Sequence, residues 1–285
     1  MGYKSSFYHG GFNGTMVFDA FCAKVGFDEY IGKTEYDKDV QNNDKDYDGN
    51  WGIFDEPFMQ YVANRITRDI AKTPFFSIVY TLTSHDPFTV PKAFEGHFSK
   101  GTLPPHKTVG YTDYALRRFF ETCRTKAWFE NTLFIITSDH STFVENDYYS
   151  SSLGRMGIPM IWYFPKQVAP KKESKIMQQI DIMPSLLHYL GYSKPFIAFG
   201  QSVFDTTAIP YAMRLSGSDY QFVENGFVLN FTDGKSVSLK KDQHDFAKSP
   251  NLMEHEPGIL KALENKTKAM IQQYNSRVIH NQFVE

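Results

Sequence analysis

FIITSDHSTF, residues Phe134–Phe143, opens as an apolar run and closes on a carboxylate beside an imidazole, Asp139 and His140. A short run rich in Ile and Phe reads as a strand buried on both faces, predicted here over Thr132–Ser138. Where strands alternate with helices, ligands collect at the carboxyl ends of the strands. Asp139 and His140 stand at such an end. A second apolar run, FFSIVYTLT over Phe75–Thr83, is followed by His85 in TSHDPF, so a second strand delivers an imidazole to the same edge. Asp and His are ordinary ligands of zinc and manganese. An Asp at a strand end also serves as a helix cap, and a catalytic zinc takes three or more protein ligands. The residues so far suit either part of a metal site or a capping Asp beside hydrogen-bonded loop histidines.

Working outward, the spacing predicts a helix over Glu56–Ala71, with Phe58, Tyr61, Val62, Ile66 and Ile70 on one stripe, and Pro74 resetting the chain after it. A second amphipathic helix is expected over Thr108–Trp128, with Leu116, Phe119, Phe120 and Cys123 inward. PMIWYF predicts a third strand over Pro159–Phe164. A short helix follows over Ile182–Leu190, with Pro184 in its first turn and Gly191 as its stop. Alternation of this kind implies βαβ units and a parallel sheet. Asp37–Asn50 reads as a polar loop. From Tyr220 to Lys241 the period becomes two, and Asn225-Gly226 and Asp233-Gly234 mark hairpin turns. An antiparallel meander is therefore expected, closed by a helix over Met253–Tyr274.

The 285 residues suffice for a large core, since a chain of this size buries roughly three-quarters of its unfolded surface. A formal charge of −2 gives no footprint of a nucleic-acid binder. The aromatic content of 16%, with 26 Phe and 17 Tyr, suits a core or a ligand cleft. Cys22 and Cys123 have no metal-ligand spacing. No stretch reaches the roughly 18 apolar residues of a membrane span, and the first residues do not have the pattern of a signal peptide.

The order of several segments resembles the lipoteichoic acid synthase and phosphoglycerol transferase branch of the sulfatase/alkaline phosphatase superfamily. They are FYHGG (Phe7–Gly11), VGFDEYIG (Val25–Gly32), NWGIFDEPF (Asn50–Phe58), LTSHDPF (Leu82–Phe88) and YTDYALRRFF (Tyr111–Phe120). NTLFIITSDH (Asn131–His140), GIPMIWYFP (Gly157–Pro165), QIDIMPSLLHYLG (Gln179–Gly191) and FGQSVFD (Phe199–Asp205) complete the series. The resemblance implies a mixed, mostly parallel α/β sheet flanked by helices, of alkaline-phosphatase/sulfatase type. Residues 7–205 would form the catalytic domain and 206–285 a C-terminal antiparallel subdomain with its closing helix.

The same resemblance implies a divalent metal (Mn2+ or Zn2+, with Mg2+ and Ca2+ as alternatives) held in part by Asp139 and His140. It places His85 near the substrate's phosphate or leaving group, as a catalytic and substrate-binding residue. Trp51 matches an aromatic contact to the transferred head group, and Asp46 a nearby polar contact. It further implies a phospholipid-derived donor, a glycan acceptor, and a membrane-anchored parent protein working outside the cytoplasmic membrane or in the periplasm.

Two departures stand out. The family's nucleophile and a further acidic ligand belong upstream of the FYHGG segment, where only six residues precede Phe7. The chain is accordingly expected to be a C-terminal, inactive portion of a longer enzyme, with no nucleophile of its own and a sheet edge open to self-association. Ile53 also follows the Trp51-Gly52 pair where glycerol-phosphate transferases carry a basic residue, which leaves phosphoethanolamine transfer open beside phosphoglycerol transfer. A sulfuric-ester or phosphodiester hydrolase and a non-catalytic glycan-binding domain are the rival readings.

The remaining candidates have plainer readings. Ser141 and Thr142 suit turn hydrogen bonds better than nucleophilic attack. Asp55 and Glu56 suit a helix start, with a reach into the cleft as the alternative for Asp55. Asp181 suits a cap, His188 a structural role among helix neighbours, and His97 and His106 a cleft wall.

Overall fold

A computed structural model describes residues 2–70, 72–167, 169–243 and 246–282. The chain divides into two compact units. One comprises residues 1–144 with 158–168, the other residues 145–157 with 169–285.

The first unit is built on β1 (Lys4–His9), α1 (Phe18–Val25), β2 (Glu29–Ile31), α2 (Lys33–Val40), α3 (Asp55–Arg65), β3 (Phe75–Tyr80), α4 (His106–Cys123) and β4 (Phe134–Thr137). The second opens with α5 (Asp147–Ser150), after which β5 (Met160–Tyr163) returns to the first. Strands β2, β1 and β3 form a parallel sheet in that order, with Tyr8 opposite Ile31 on one side and Val79 on the other. Tyr8 and Ile31 are fully buried with Ile53, Phe58, Val62 and Ile66. The apolar stripe of α3 therefore covers the sheet, and Ala115, Phe119 and Cys123 of α4 join the same core. Each large apolar side chain so buried contributes about 1.5–3 kcal/mol. The predicted helix over Glu56–Ala71 is α3 followed by a π-helical turn at Ile66–Ile70. Its last predicted residue, Ala71, lies outside the described residues.

Three expectations are corrected. The strand predicted to reach Thr83 stops at Tyr80, because the Asp55 carboxylate takes the amide protons of Leu82 and Thr83 at 2.7 and 3.1 Å. The third strand runs antiparallel to β4, with Phe134 opposite Tyr163 and Thr137 opposite Met160. A parallel return needs a long crossover, and the only α-helix between these strands is the four-residue α5. The polar stretch from Asp37 is not all loop, since α2 runs to Val40 before the chain turns.

The second unit continues with α6 (Ile182–Tyr189), β6 (Tyr211–Ser216), β7 (Asp219–Glu224), β8 (Phe227–Thr232), β9 (Lys235–Lys241) and α7 (Pro257–His280). The meander has four strands in chain order, all antiparallel. The predicted turns are present. Asn225 and Gly226 have φ of 50° and 75°, and Asp233 and Gly234 have 49° and 77°, as two-residue hairpins require. Phe222, Leu229, Phe231 and Leu239 pack against Leu263 of α7. Gly191 ends α6 with φ 68°, and residues 169–205 group with the meander by contact.

Candidate functional site

The carboxyl ends of β3 and β4 meet at a hydrogen bond. Tyr80, the last residue of β3, donates its hydroxyl to Asp139 Oδ2 at 2.9 Å. Asp139 Oδ1 accepts the His140 backbone amide at 2.8 Å, which turns the two side chains together. His140 Nδ1 lies 2.7 Å from the carbonyl oxygen of Ser141. A carbonyl only accepts, so Nδ1 carries the proton. His140 Nε2 then faces Asp139 Oδ2 at 3.4 Å. A nitrogen lone pair against a carboxylate oxygen is favourable when a proton or a cation joins them.

Two ligands of a tetrahedral ion at zinc–ligand distances lie about 3.3 Å apart, so this pair matches two corners of such a site. Both side chains are exposed, at 71% and 52% for His140 and Asp139. They can therefore accept an ion without burying an unpaired charge. Among the described residues no group of three His, Cys, Asp or Glu side chains comes together as a metal cage. The described residues thus supply a fitting pair of donors and not a full set.

The second pair stands on neighbouring loops. The Trp51 ring lies 4.3 Å from the His85 ring, centroid to centroid. Both are directed at one acceptor, the Asp86 carbonyl oxygen, with Trp51 Nε1 at 2.5 Å and His85 Nδ1 at 3.1 Å. By the same reasoning Nδ1 of His85 is the donor, and Nε2 remains for other chemistry. The loops after His85 and after His140 touch through the Phe88 and Phe143 rings, 6.1 Å apart. Trp51 is held from its own side as well. Asp48 Oδ1 accepts the amides of Asn50, Trp51 and Gly52 at 2.7, 2.8 and 3.1 Å. Gly52 presses on the strand-end glycines, where a Cβ would meet Gly11 Cα at 2.7 Å and collide with the Gly10 carbonyl.

Asp46 is engaged elsewhere. Its Oδ2 accepts from the Tyr36 hydroxyl at 2.6 Å and from the Asn42 amide. It lines a cleft of about 370 Å³ with Phe54, Glu56, Lys92, Phe94 and Tyr111. Burial pushes the Glu56 carboxyl above its ordinary range, against the pull of Arg118. Asp55 is buried beneath this region. Besides Leu82 and Thr83 its carboxylate takes the Thr112 hydroxyl at 2.7 Å, so it is a structural clamp.

His106 Nδ1 accepts the amides of Thr102 and Leu103, and the His97 ring lies against Phe94, so both are framework residues. Asp181 stands at the N-cap of α6 but makes no side-chain bond to that helix. Its carboxylate accepts the amides of Gln178 and Gln201, both at 2.8 Å, so it ties the preceding turn to the segment at Gln201 instead of capping the helix. His188 is exposed rather than turned among helix neighbours, with its ring near Phe204.

Two residues were not found from the sequence. His9 ends β1 almost wholly buried, 1% exposed, between Phe18, Tyr80 and the Tyr30 hydroxyl. Burial pushes its imidazole down to about 4. Tyr80 links this layer to Asp139, and burial followed by the Asp139 bond pushes its phenol up to about 12. The available signal for both was position, since each closes a strand of the parallel sheet.

The mixed α/β layers have the alkaline-phosphatase/sulfatase fold. A solved member of the alkaline phosphatase superfamily from Vibrio parahaemolyticus superposes on 100% of this chain and 67% of its own, with a TM-score of 0.81 and 23% identity. The lipoteichoic acid synthase LtaP from Listeria monocytogenes superposes on 97% of this chain and 70% of its own, with a TM-score of 0.76 and 17% identity. Residues 1–192 match the Sulfatase family model, and the chain belongs to that family. The lipoteichoic acid synthase of Staphylococcus aureus (strain USA300) is 25% identical over 274 residues, or 89% of this chain. The chain spans 41% of that relative's length.

Proposed function

We propose that the chain is part of a metal-dependent phosphotransferase of the sulfatase family. In this reading it transfers a phospho-alcohol, phosphoglycerol or phosphoethanolamine, from a phospholipid donor to a surface glycan. The observation that carries the reading is the approach of Asp139 Oδ2 to His140 Nε2 at the carboxyl end of β4. Likeness to a lipoteichoic acid synthase favours transfer over hydrolysis. Asp139 and His140 would hold Mn2+ or Zn2+ together with ligands from outside these residues. A divalent ion bound there neutralises phosphate oxygens and lowers the pKa of an attacking hydroxyl.

His85 has the chain's own chemical role. Its Nδ1–H rests on the Asp86 carbonyl, which leaves Nε2 to face the substrate. As the imidazolium, His85 would pass its Nε2 proton to the leaving alkoxide and return to the neutral Nδ1–H form. The Trp51 ring packs on that imidazole, limits its rotation and forms an apolar wall for the head group. Asp46, bound to Tyr36, fixes the loop that carries Trp51 instead of touching the head group. In this reading the nucleophile and a membrane anchor lie in the part of the relatives' length that this chain does not span, and the reaction runs outside the cytoplasmic membrane or in the periplasm. No helix among the described residues is long and apolar enough to cross a membrane.

The test is an assay of the full-length protein with a labelled phospholipid donor, with and without a glycan acceptor. Acceptor-dependent release of diacylglycerol, slowed about 100-fold or more by His85→Ala, is the expected result. Release to water alone would make the protein a hydrolase, and no release with any donor would leave the glycan-binding reading.

A further inference from the structure

The meander of the second unit has two unlike faces. One carries Phe222, Leu229, Phe231 and Leu239 and is covered by α7. On the other, Ala212, Val223 and Val228 lie under Leu153, Ile176 and Phe246. One step further along the strands this second face turns polar. Arg214 stands opposite Gln221, Gln221 opposite Asn230, and Asn230 opposite Ser238, so a single row crosses all four strands.

The row is bonded end to end. Arg214 Nε donates to Gln221 Oε1 at 3.3 Å, and Gln221 Nε2 donates to Asn230 Oδ1 at 3.0 Å and to Ser152 Oγ at 3.4 Å. Asn230 Nδ2 donates to Ser238 Oγ at 2.8 Å. The next row holds Ser216, Asp219, Thr232 and Lys235, with the Thr232 hydroxyl on Asp219 at 2.7 Å.

Arg214 is the unusual member. It is half-buried, and its Nε is fixed by Gln221, which is 4% exposed. Its two Nη groups meet no carboxylate among the described residues. The half-buried Arg65 differs, since Glu29 and Asp39 stand at 3.2 and 2.8 Å from its Nη atoms. The Nη groups reach solvent, and Gln221 fixes the guanidinium, so an anion can be bound without first moving the side chain. The planar guanidinium matches two phosphate oxygens at once. The hydroxyls and amides beside it in the two rows suit alcohol groups.

We propose that this face is a binding site for a phosphorylated polyol. The phosphate sits on the Arg214 Nη groups, and the nearest hydroxyls lie by the Ser216 side chain on the same strand, with Asn230 and Ser238, two and three strands away, in reach of a longer polyol only. The identity of the ligand rests on the phosphotransferase reading, in which such a unit is what the enzyme transfers, so the site would hold acceptor or product.

The experiment is a titration of the 285-residue chain with glycerol phosphate, read from the NMR signals of the Arg214 guanidinium and the Gln221 and Asn230 amides. Saturable shifts of those signals are expected. Glycerol should give none, and inorganic phosphate weaker ones. Arg214→Ala should weaken binding about tenfold or more, and Arg214→Lys by less, with thermal melts matching the parent. Asp139→Ala/His140→Ala should leave these shifts intact, so failure of the metal-site reading would show separately. Unmoved Arg214 signals at millimolar ligand, or equal binding by Arg214→Ala, would overturn the site. Equal binding of inorganic phosphate would overturn the polyol.

Discussion

His9 puts a neutral imidazole where the sheet meets the site, and that has a consequence in acid. Its folded pKa is about 4 against an ordinary 6.5. Below pH 6.5 the unfolded chain takes up a proton that the folded chain refuses, so folding loses stability as the pH falls towards 4. Over that window the loss amounts to about 3 kcal/mol. Urea unfolding at pH 7 and pH 4 measures it, and His9→Asn should lose about that much less stability than the parent over the same interval. An unchanged pH dependence in the variant would mean that His9 is charged in the fold. The site residues themselves were partly legible at this scale. Asp139, His140 and His85 follow apolar runs, so their place at a sheet edge could be read directly. His9 and Tyr80 close their strands, but nothing in a strand's own sequence marks where it stops or which residue meets a partner from the next strand. The bond from Tyr36 to Asp46 was not legible, because the acidic residues of that loop look alike until Tyr36 selects one.

At the scale of elements, hydrophobic period and turn chemistry carried most of the information. The meander turns were explicit in Asn225-Gly226 and Asp233-Gly234, because only certain residues tolerate positive φ. Strand direction was not explicit, since Met160–Tyr163 is apolar whichever way it pairs with β4. β1 was passed over because KSSFYH is only half apolar, although its last four residues are buried. The loop that presents Trp51 docks through Gly52, whose approach to Gly10 and Gly11 leaves no room for a methyl group. Gly52→Ala is expected to cost about 1–3 kcal/mol by overpacking and to break the bridge between Gly11 and Gly52. Denaturant unfolding measures the cost, and a red-shifted Trp emission would report the displaced loop. A fully stable variant with unchanged emission would contradict this docking.

For the whole molecule, unpaired strand edges and low charge matter together. β3 pairs only with β1, and β4 only with β5, among the described residues. Open edges recruit other chains unless a charge blocks them, and a net charge of −2 offers little repulsion. Sedimentation velocity should therefore show association that grows with concentration. Phe76→Lys, at a position on β3 that is 42% exposed, should shift the chain towards monomer. A monomer at every concentration would refute an association-prone edge.

The central claim, a metal held in part by Asp139 and His140, is tested most directly by calorimetric titration with Mn2+ and Zn2+, beside Asp139→Ala/His140→Ala. The parent chain is expected to bind about one equivalent, with fewer protein ligands than the three or more of a full catalytic site, and the variant none. Equal binding by the variant, or no binding by a longer chain that includes the upstream segment, would contradict the account.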